Sequence, residues 1–243
     1  MPLPPRRVFR AFKYAMYFDG VGYNVNVPSF TLNSQAFSIV MWIRKLNPQY
    51  ATGYEWLIIK LSDTWFGEFS ITLEHGGNSI FRIEGADKSE NSVITGSYLE
   101  DLAWHNVVGM YDGARMYFYV DSALNASRTI NKPRYITTSD IFIGRHGGGA
   151  HYPLLIYQVL LYSRALSDSE IQWNYQYPDN PVRSGLVLWL QADPNNVKDI
   201  DGDGVLEWVD LSGNNNHGKI YGATLVELIK TRKRLLSPAR IQR

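Results

Sequence analysis

The residues whose spacing suggests chemistry are aspartates. Asp199, Asp201 and Asp203 alternate through the run Asp199-Ile200-Asp201-Gly202-Asp203-Gly204, and Asp210 falls at the twelfth position counted from Asp199. Carboxylates at positions one, three and five converge on one hard cation when a glycine at position six allows a sharp turn. This is a candidate calcium loop, and calcium is the one cofactor the sequence suggests. Two features weaken the match. Asp210 stands where a longer, bidentate glutamate is usual, and the flanking residues read as strands, not helices. The competing reading is an acidic solvent loop between strands. Asp19, Asp112 and Asp121 are further oxygen-rich points, better read as turn formers.

Other reactive constellations are missing. His75, His105, His146, His151 and His217 lack the spacing of a helical metal site, and there is no Gly-x-Ser-x-Gly elbow. Sugar recognition asks for less: exposed aromatic faces for stacking, with loop Asn, Asp and Gly groups to fix hydroxyls. His146, His151 and Tyr152, in the glycine-rich run from His146 to Tyr152, form such a surface together with Tyr50, Tyr54 and Trp65 from other loops. Most of the seven tryptophans belong to a core, and Trp42, Trp104 and Trp189 are assigned there. Asn125-Ala126-Ser127 is a glycosylation sequon, informative only in a secreted protein.

The elements that must position these groups are strands. Trp104 to Asp121, WHNVVGMYDGARMYFYVD, reads as a hairpin turning at Asp112-Gly113, where glycine supplies the positive φ of a primed turn. Beyond the turn Met116, Phe118 and Val120 alternate with polar or amphipathic residues, while adjacent Val107 and Val108 leave the inward register of the first strand open. Further strands are expected at 14–18, 23–27, 37–43, 56–61, 79–84, 136–144 and 154–162. Residues 68–74 read as a half-buried strand with Ser70 and Thr72 outward, and 146–152 as a glycine-rich loop. Ser167 and Glu170 have capping-box spacing for a short helix. Strands so spaced, divided by Gly, Asn and Asp, imply an antiparallel sandwich.

Three segments then resemble the laminin-G-like, concanavalin-A-like jelly-roll family. They are Ala15–Gly20 with Tyr23–Pro28, the hairpin itself, and Ile143–Arg145 with the closing run Leu160–Ile171 that holds Tyr-Ser-Arg-Ala-Leu-Ser. The resemblance covers about residues 12–177. It implies an all-β, two-sheet jelly roll closed by a short helix. Glycosidases of that fold place paired glutamates and an aspartate on one strand, with carboxyls roughly 5–10 Å apart. No Glu-x-Asp-x-Glu run is present, so no enzymatic activity is expected. After the linker Pro178–Pro181, a strand at 185–190 and the run Trp208–Ala223 are similar to the piece that usually opens such a jelly roll. Placed last, residues 178–229 either fold back on their own sandwich, exchange with a neighbouring subunit, or start a second domain. They are too few for an independent sandwich.

Composition sets the frame. The 243 residues are 45% hydrophobic and 14% aromatic with no cysteine, enough for a core that buries rings and excluding disulfide or thiolate chemistry. No apolar run approaches the ~20 residues of a membrane span. The net charge of +1 hides basic ends. The arm 1–11 carries Arg6, Arg7 and Arg10, and the tail 230–243 carries Arg232, Lys233 and Arg234 among its basic residues, around an acidic body. Such ends bind nucleic acid, or an acidic face of another copy, or are simply solvated. The amino terminus lacks the apolar core of a secretory signal, so cytoplasmic synthesis with assembly at a virion or cell surface is expected. The reading that gathers these features is a self-associating structural protein, a virion coat, decoration or spike subunit. The alternative is a lectin-like adhesion module that binds glycans.

Overall fold

The computed structural model describes residues 11–20, 22–47, 53–64, 67–74, 78–95, 99, 101–144, 146–149 and 153–228. The chain begins with strands β1 (Tyr14–Phe18), β2 (Asn24–Val27), β3 (Phe37–Lys45), β4 (Gly53–Lys60), β5 (Phe69–Glu74), β6 (Ser79–Glu84) and β7 (Glu90–Thr95). It continues through β8 (His105–Tyr111), β9 (Arg115–Val120), β10 (Ala123–Thr129), β11 (Ile141–Ile143), β12 (His146–Gly149) and β13 (Leu154–Tyr162). Helix α1 (Asp168–Gln176) precedes β14 (Leu186–Gln191), β15 (Val197–Lys198), β16 (Glu207–Trp208), β17 (Gly218–Tyr221) and β18 (Thr224–Glu227).

These strands form two antiparallel sheets facing each other, as a jelly-roll sandwich requires. One runs β10-β9-β8-β3-β13-β1-β18, and the other runs β15-β16-β17-β2-β11-β4-β5-β6-β7. β12 adds to β4 in the second sheet. In the first, β3 pairs with β13 along its whole length. The opposite edge of β13 is shared end to end, by β1 at Leu154–Ile156 and by β14 at Gln158–Tyr162. The carboxy-terminal strands thus fold back on their own chain: β14 extends the gap beside β1, β18 pairs with β1, and β17 pairs with β2.

The core between the sheets is aromatic and aliphatic, with Phe18, Phe37, Phe69, Phe81, Phe118 and Trp208 fully buried. A second apolar layer lies on the far side of the first sheet. Val40, Val108, Met110, Leu160 and Tyr162 meet Leu166, Ile171, Leu186 and Trp189 there, beneath α1. Val107 therefore belongs to the inner core and Val108 to the outer layer, so β8 is buried on both faces. Its period-two signal is blurred because the inward residue after Val107 is Gly109. A Cβ there would lie 2.7 Å from the Phe81 ring, which fills the space from the opposite sheet. At the hairpin tip Gly113 adopts φ 103°, and Asp112 Oδ1 accepts the amides of Ala114 and Arg115 at 2.8 and 2.7 Å.

Several expectations need correction. Ser70 and Thr72 are buried, not solvent-facing, because Arg82 lies along that face, donating to Thr72 Oγ1 at 2.5 Å and to Glu90 at 2.8 Å. Residues 146–149 pair as a strand with β4 instead of looping free. Trp104 is only partly buried, packed edge-on to Phe12. Strands β7 and β10 fall on polar stretches that carry little hydrophobic signal.

The strand expected at 136–144 shrinks to Ile141–Ile143 because the preceding residues are held by charge. Lys60, Glu68 and Arg134 have side chains with no exposed surface. Glu68 accepts from the Arg134 guanidinium, and its Oε2 takes the Thr137 amide and hydroxyl at 2.7 Å each, with the Lys60 ammonium at 3.3 Å. Lys60 also donates to the carbonyls of Thr137 and Ser139, and Arg134 to those of Leu32 and Ser34. Burial lowers the pKa of both cations and Glu68 opposes that.

Candidate functional site

Asp199, Asp201 and Asp203 do converge: one oxygen from each lies within 4.8 Å of the others, on an exposed loop. The loop closes on itself through Asx-type bonds. Asp199 accepts the amides of Gly202 and Gly204 at 2.8 and 3.1 Å, Asp201 that of Asp203, and Asp203 that of Val205. The Lys219 ammonium sits in the position of a cation, 3.0 Å from Asp201 and 2.5 Å from Asp203. Its pKa is raised by those two carboxylates, and the Asp203 pKa is lowered in return. All six carboxylate oxygens thus already accept a protein donor, and a metal ion would have to displace Lys219.

Asp210 does not join them. It is buried, and its Oδ1 takes the amides of Trp189 and Ser212, both at 2.9 Å. Its Oδ2 takes the Ser212 hydroxyl at 2.8 Å and the Asn216 amide at 3.0 Å. Ser212, Asn214 and Asn216 each donate to the Val187 carbonyl, and His217 Nδ1 accepts the Asp210 amide at 3.0 Å. The polar run after Trp208 is therefore a clasp over β14, which explains its Asp, Ser, Asn and His content without a ligand.

The expected sugar surface is only partly placed. Tyr54 lies on β4 and His146 on β12, which pair with each other with His146 opposite Glu55. Tyr50, Trp65, His151 and Tyr152 lie outside the described residues, as do the basic residues Arg6, Arg7, Arg10, Arg232, Lys233 and Arg234. Among the described residues no helix is long and apolar enough to cross a membrane.

A different aromatic surface stands on α1. The helix starts in a complete capping box, with Ser167 accepting from the Glu170 amide and Glu170 accepting from the Ser167 amide. Glu170 also holds Arg164 through two bonds at 2.7 and 2.8 Å, which with the Ser167 bonds depresses its pKa to about 2. Ile171, Asn174 and Tyr175 face inward, where Tyr175 stacks on Trp42 at 5.3 Å. Trp173 and Tyr177, four residues apart, face outward with 42% and 48% of their surface exposed and ring centroids 4.4 Å apart. Beside them opens a cleft of about 460 Å³ lined by Ser169, Glu170, Trp173, Asn180, Pro181 and Val182.

Both walls of this cleft are braced. The Trp173 indole N–H donates to the Asn180 carbonyl at 2.8 Å. The buried Asn174 side chain accepts the Val182 amide at 2.9 Å and donates to the Tyr162 hydroxyl at 3.1 Å. Sequence reasoning passed over these residues because tryptophan in a sandwich defaults to the core. The signal that finds Trp173 is helical phase: once Ile171 and Tyr175 point inward, Trp173 must point out, with Tyr177 beside it at the C-cap.

A second charged constellation is structural. The His105 ring is buried, with Nδ1 2.9 Å from Asp121 and Nε2 2.8 Å from Asp101. Burial works against the charged ring, but hydrogen bonds to the two carboxylates outweigh it and raise the His105 pKa. Asp121, at φ 52°, also caps the Asn106 amide at 2.9 Å, so the group pins the open end of the hairpin.

The sequence profile of the concanavalin A-like lectin/glucanases superfamily (Laminin_G_3) matches residues 19–172. No curated protein matches the chain. Among solved structures, a candidate carbohydrate-binding protein from Bacteroides ovatus superposes with a TM-score of 0.67 at 14% identity, over 90% of this chain and 61% of that one. The binding domain of botulinum neurotoxin DC, in complex with SialylT, superposes with a TM-score of 0.58 at 16% identity, over 72% and 43%. The binding domain of Paraclostridial Mosquitocidal Protein 1 gives a TM-score of 0.54 at 18% identity, over 68% and 48%. The chain therefore spans 43% to 61% of the length of these proteins, and at such identities the likeness is one of fold.

Proposed function

The chain belongs to the concanavalin A-like lectin/glucanases superfamily, and we propose that it is a non-catalytic, lectin-like module that binds carbohydrate. The superfamily name covers binders and hydrolases alike, so the carboxylates must discriminate. The observation that carries the reading is that seven carboxylates among the described residues are committed to structure. Glu68 is held by Arg134 and Lys60, Glu170 by Arg164, and Asp210 by backbone amides. Asp101 and Asp121 hold His105, and Asp201 and Asp203 hold Lys219. A glycosidase instead needs an acid and a nucleophile or base facing each other across a cleft, roughly 5–10 Å apart.

The structural neighbours support binding: one is a candidate carbohydrate-binding protein, and others are the binding domains of Paraclostridial Mosquitocidal Protein 1 and of botulinum neurotoxin DC, the latter in complex with SialylT. Nothing comparable supports the expected coat or spike subunit, so the order of the two readings reverses. The test is a glycan array probed with the full chain, paired with a reducing-sugar release assay on the glycans it retains. Specific retention without release is the expected result. Release of sugar overturns the non-catalytic reading, and no retention on the array overturns carbohydrate binding.

A further inference from the structure

Building on the carbohydrate-binding reading, we infer that the cleft between α1 and residues 180–182 is a saccharide subsite in which Trp173 stacks on a neutral pyranose ring. A pyranose has an apolar C–H face and a polar hydroxyl edge, so it matches an exposed aromatic plane bordered by hydrogen-bonding groups. Trp173 supplies the plane, with Tyr177 beside it at 4.4 Å. The indole N–H is taken by the Asn180 carbonyl at 2.8 Å, which fixes the ring and leaves its face for packing. Exposed Asn180 and Ser169, whose hydroxyl lies 3.0 Å from that of Ser167, line the same cleft.

One feature favours a neutral ligand over a charged one, and two favour a preformed small-ligand site. The cleft volume of about 460 Å³ falls within the range of about 300–1,000 Å³ usual for small-ligand sites. Its one carboxylate, Glu170, is already neutralised by Arg164 at 2.7 Å, so neither an anion nor a cation finds an unbalanced charge on the lining. Both walls are fixed by buried hydrogen bonds through Asn174 and Tyr162, so binding orders little that is not already ordered.

The test compares full-length wild type with Trp173→Ala and Trp173→Phe on an array of neutral oligosaccharides, followed by calorimetric titration with the best-retained glycan. Tyr221→Ala, which removes an exposed aromatic from the other sheet, serves as the comparison. Trp173→Ala is expected to weaken binding at least tenfold, Trp173→Phe less, and Tyr221→Ala not at all, with all variants melting within a few degrees of wild type. If wild type binds and Trp173→Ala binds equally well, or if Tyr221→Ala is as damaging, the subsite is overturned while carbohydrate binding stands. If wild type retains no glycan, the broader reading falls first and this one with it. Retention of unglycosylated peptides in place of sugars, lost in Trp173→Ala, also overturns the saccharide assignment.

Discussion

Replacing Glu68 with alanine is the most severe single test of how this sandwich is held. Its carboxylate stands between two cations with no solvent contact and also receives the amide and hydroxyl of Thr137. Removing it leaves the Lys60 ammonium and the Arg134 guanidinium buried without a counter-charge. Loss of one partner from a buried ion pair costs about 3–5 kcal/mol, against a total stability of about 5–15 kcal/mol for a domain. For a chain of this size each kcal/mol shifts the midpoint by about 2–4 °C, so melting should fall by about 6–20 °C. Urea unfolding followed by tryptophan fluorescence gives the same quantity at constant temperature. The pH dependence adds a sign. Lys60 already has a lowered pKa from burial, opposed by Glu68, so without Glu68 it falls further. A basic group depressed on folding binds more protons unfolded, so the variant should regain stability as pH rises from its folded pKa toward 10.5. Replacing all three residues with Leu or Met should restore most of the loss, since no unpaired charge remains. A Glu68→Ala cost below about 1 kcal/mol would show that water reaches the group and refute the reasoning.

Further perturbations separate the other polar groups. His105 has a raised pKa, so its contribution is complete below 6.5 and is lost as pH rises through its folded value. Wild-type urea midpoints should fall over that window and those of His105→Gln should not, and matching slopes would reject the clamp. Asp210→Ala strands three backbone amides, and an expected loss of about 3 kcal/mol in urea, unchanged by added calcium, would distinguish a structural clasp from a metal ligand. If Lys219 holds the cation position, calcium should raise the melting temperature of Lys219→Ala more than that of wild type, and equal shifts would argue against that role.

The architecture was legible because the strands that build it carry strong local signals. The Asp112-Gly113 turn, the period of Met116, Phe118 and Val120, and the Ser167–Glu170 capping box are all set by residues within a few positions of one another. The candidate cation loop was legible for the same reason, since Asp199, Asp201 and Asp203 are brought together by their own loop. Asp210 was not, because its partners on β14 are set by strand pairing across 21 residues of chain. Gly109 illustrates the limit from the other side: its empty position becomes inward only when Phe81 arrives from the opposing sheet.

By itself, then, the sequence determined the all-β class, the hairpin and the cap, each a matter of neighbouring residues and hydrophobic period, whereas the path of residues 178–228 was open to several readings. Tertiary structure alone decided that those residues close the edge of β13 and cover β1, because strand edges are completed by whichever segment the packed sheets bring alongside. It also decided which aromatics are buried. Trp42 is buried beneath α1 and Trp208 between the sheets while Trp173 remains on the surface, a difference set by the face that α1 turns to Ile171 and Tyr175 and not by residue type.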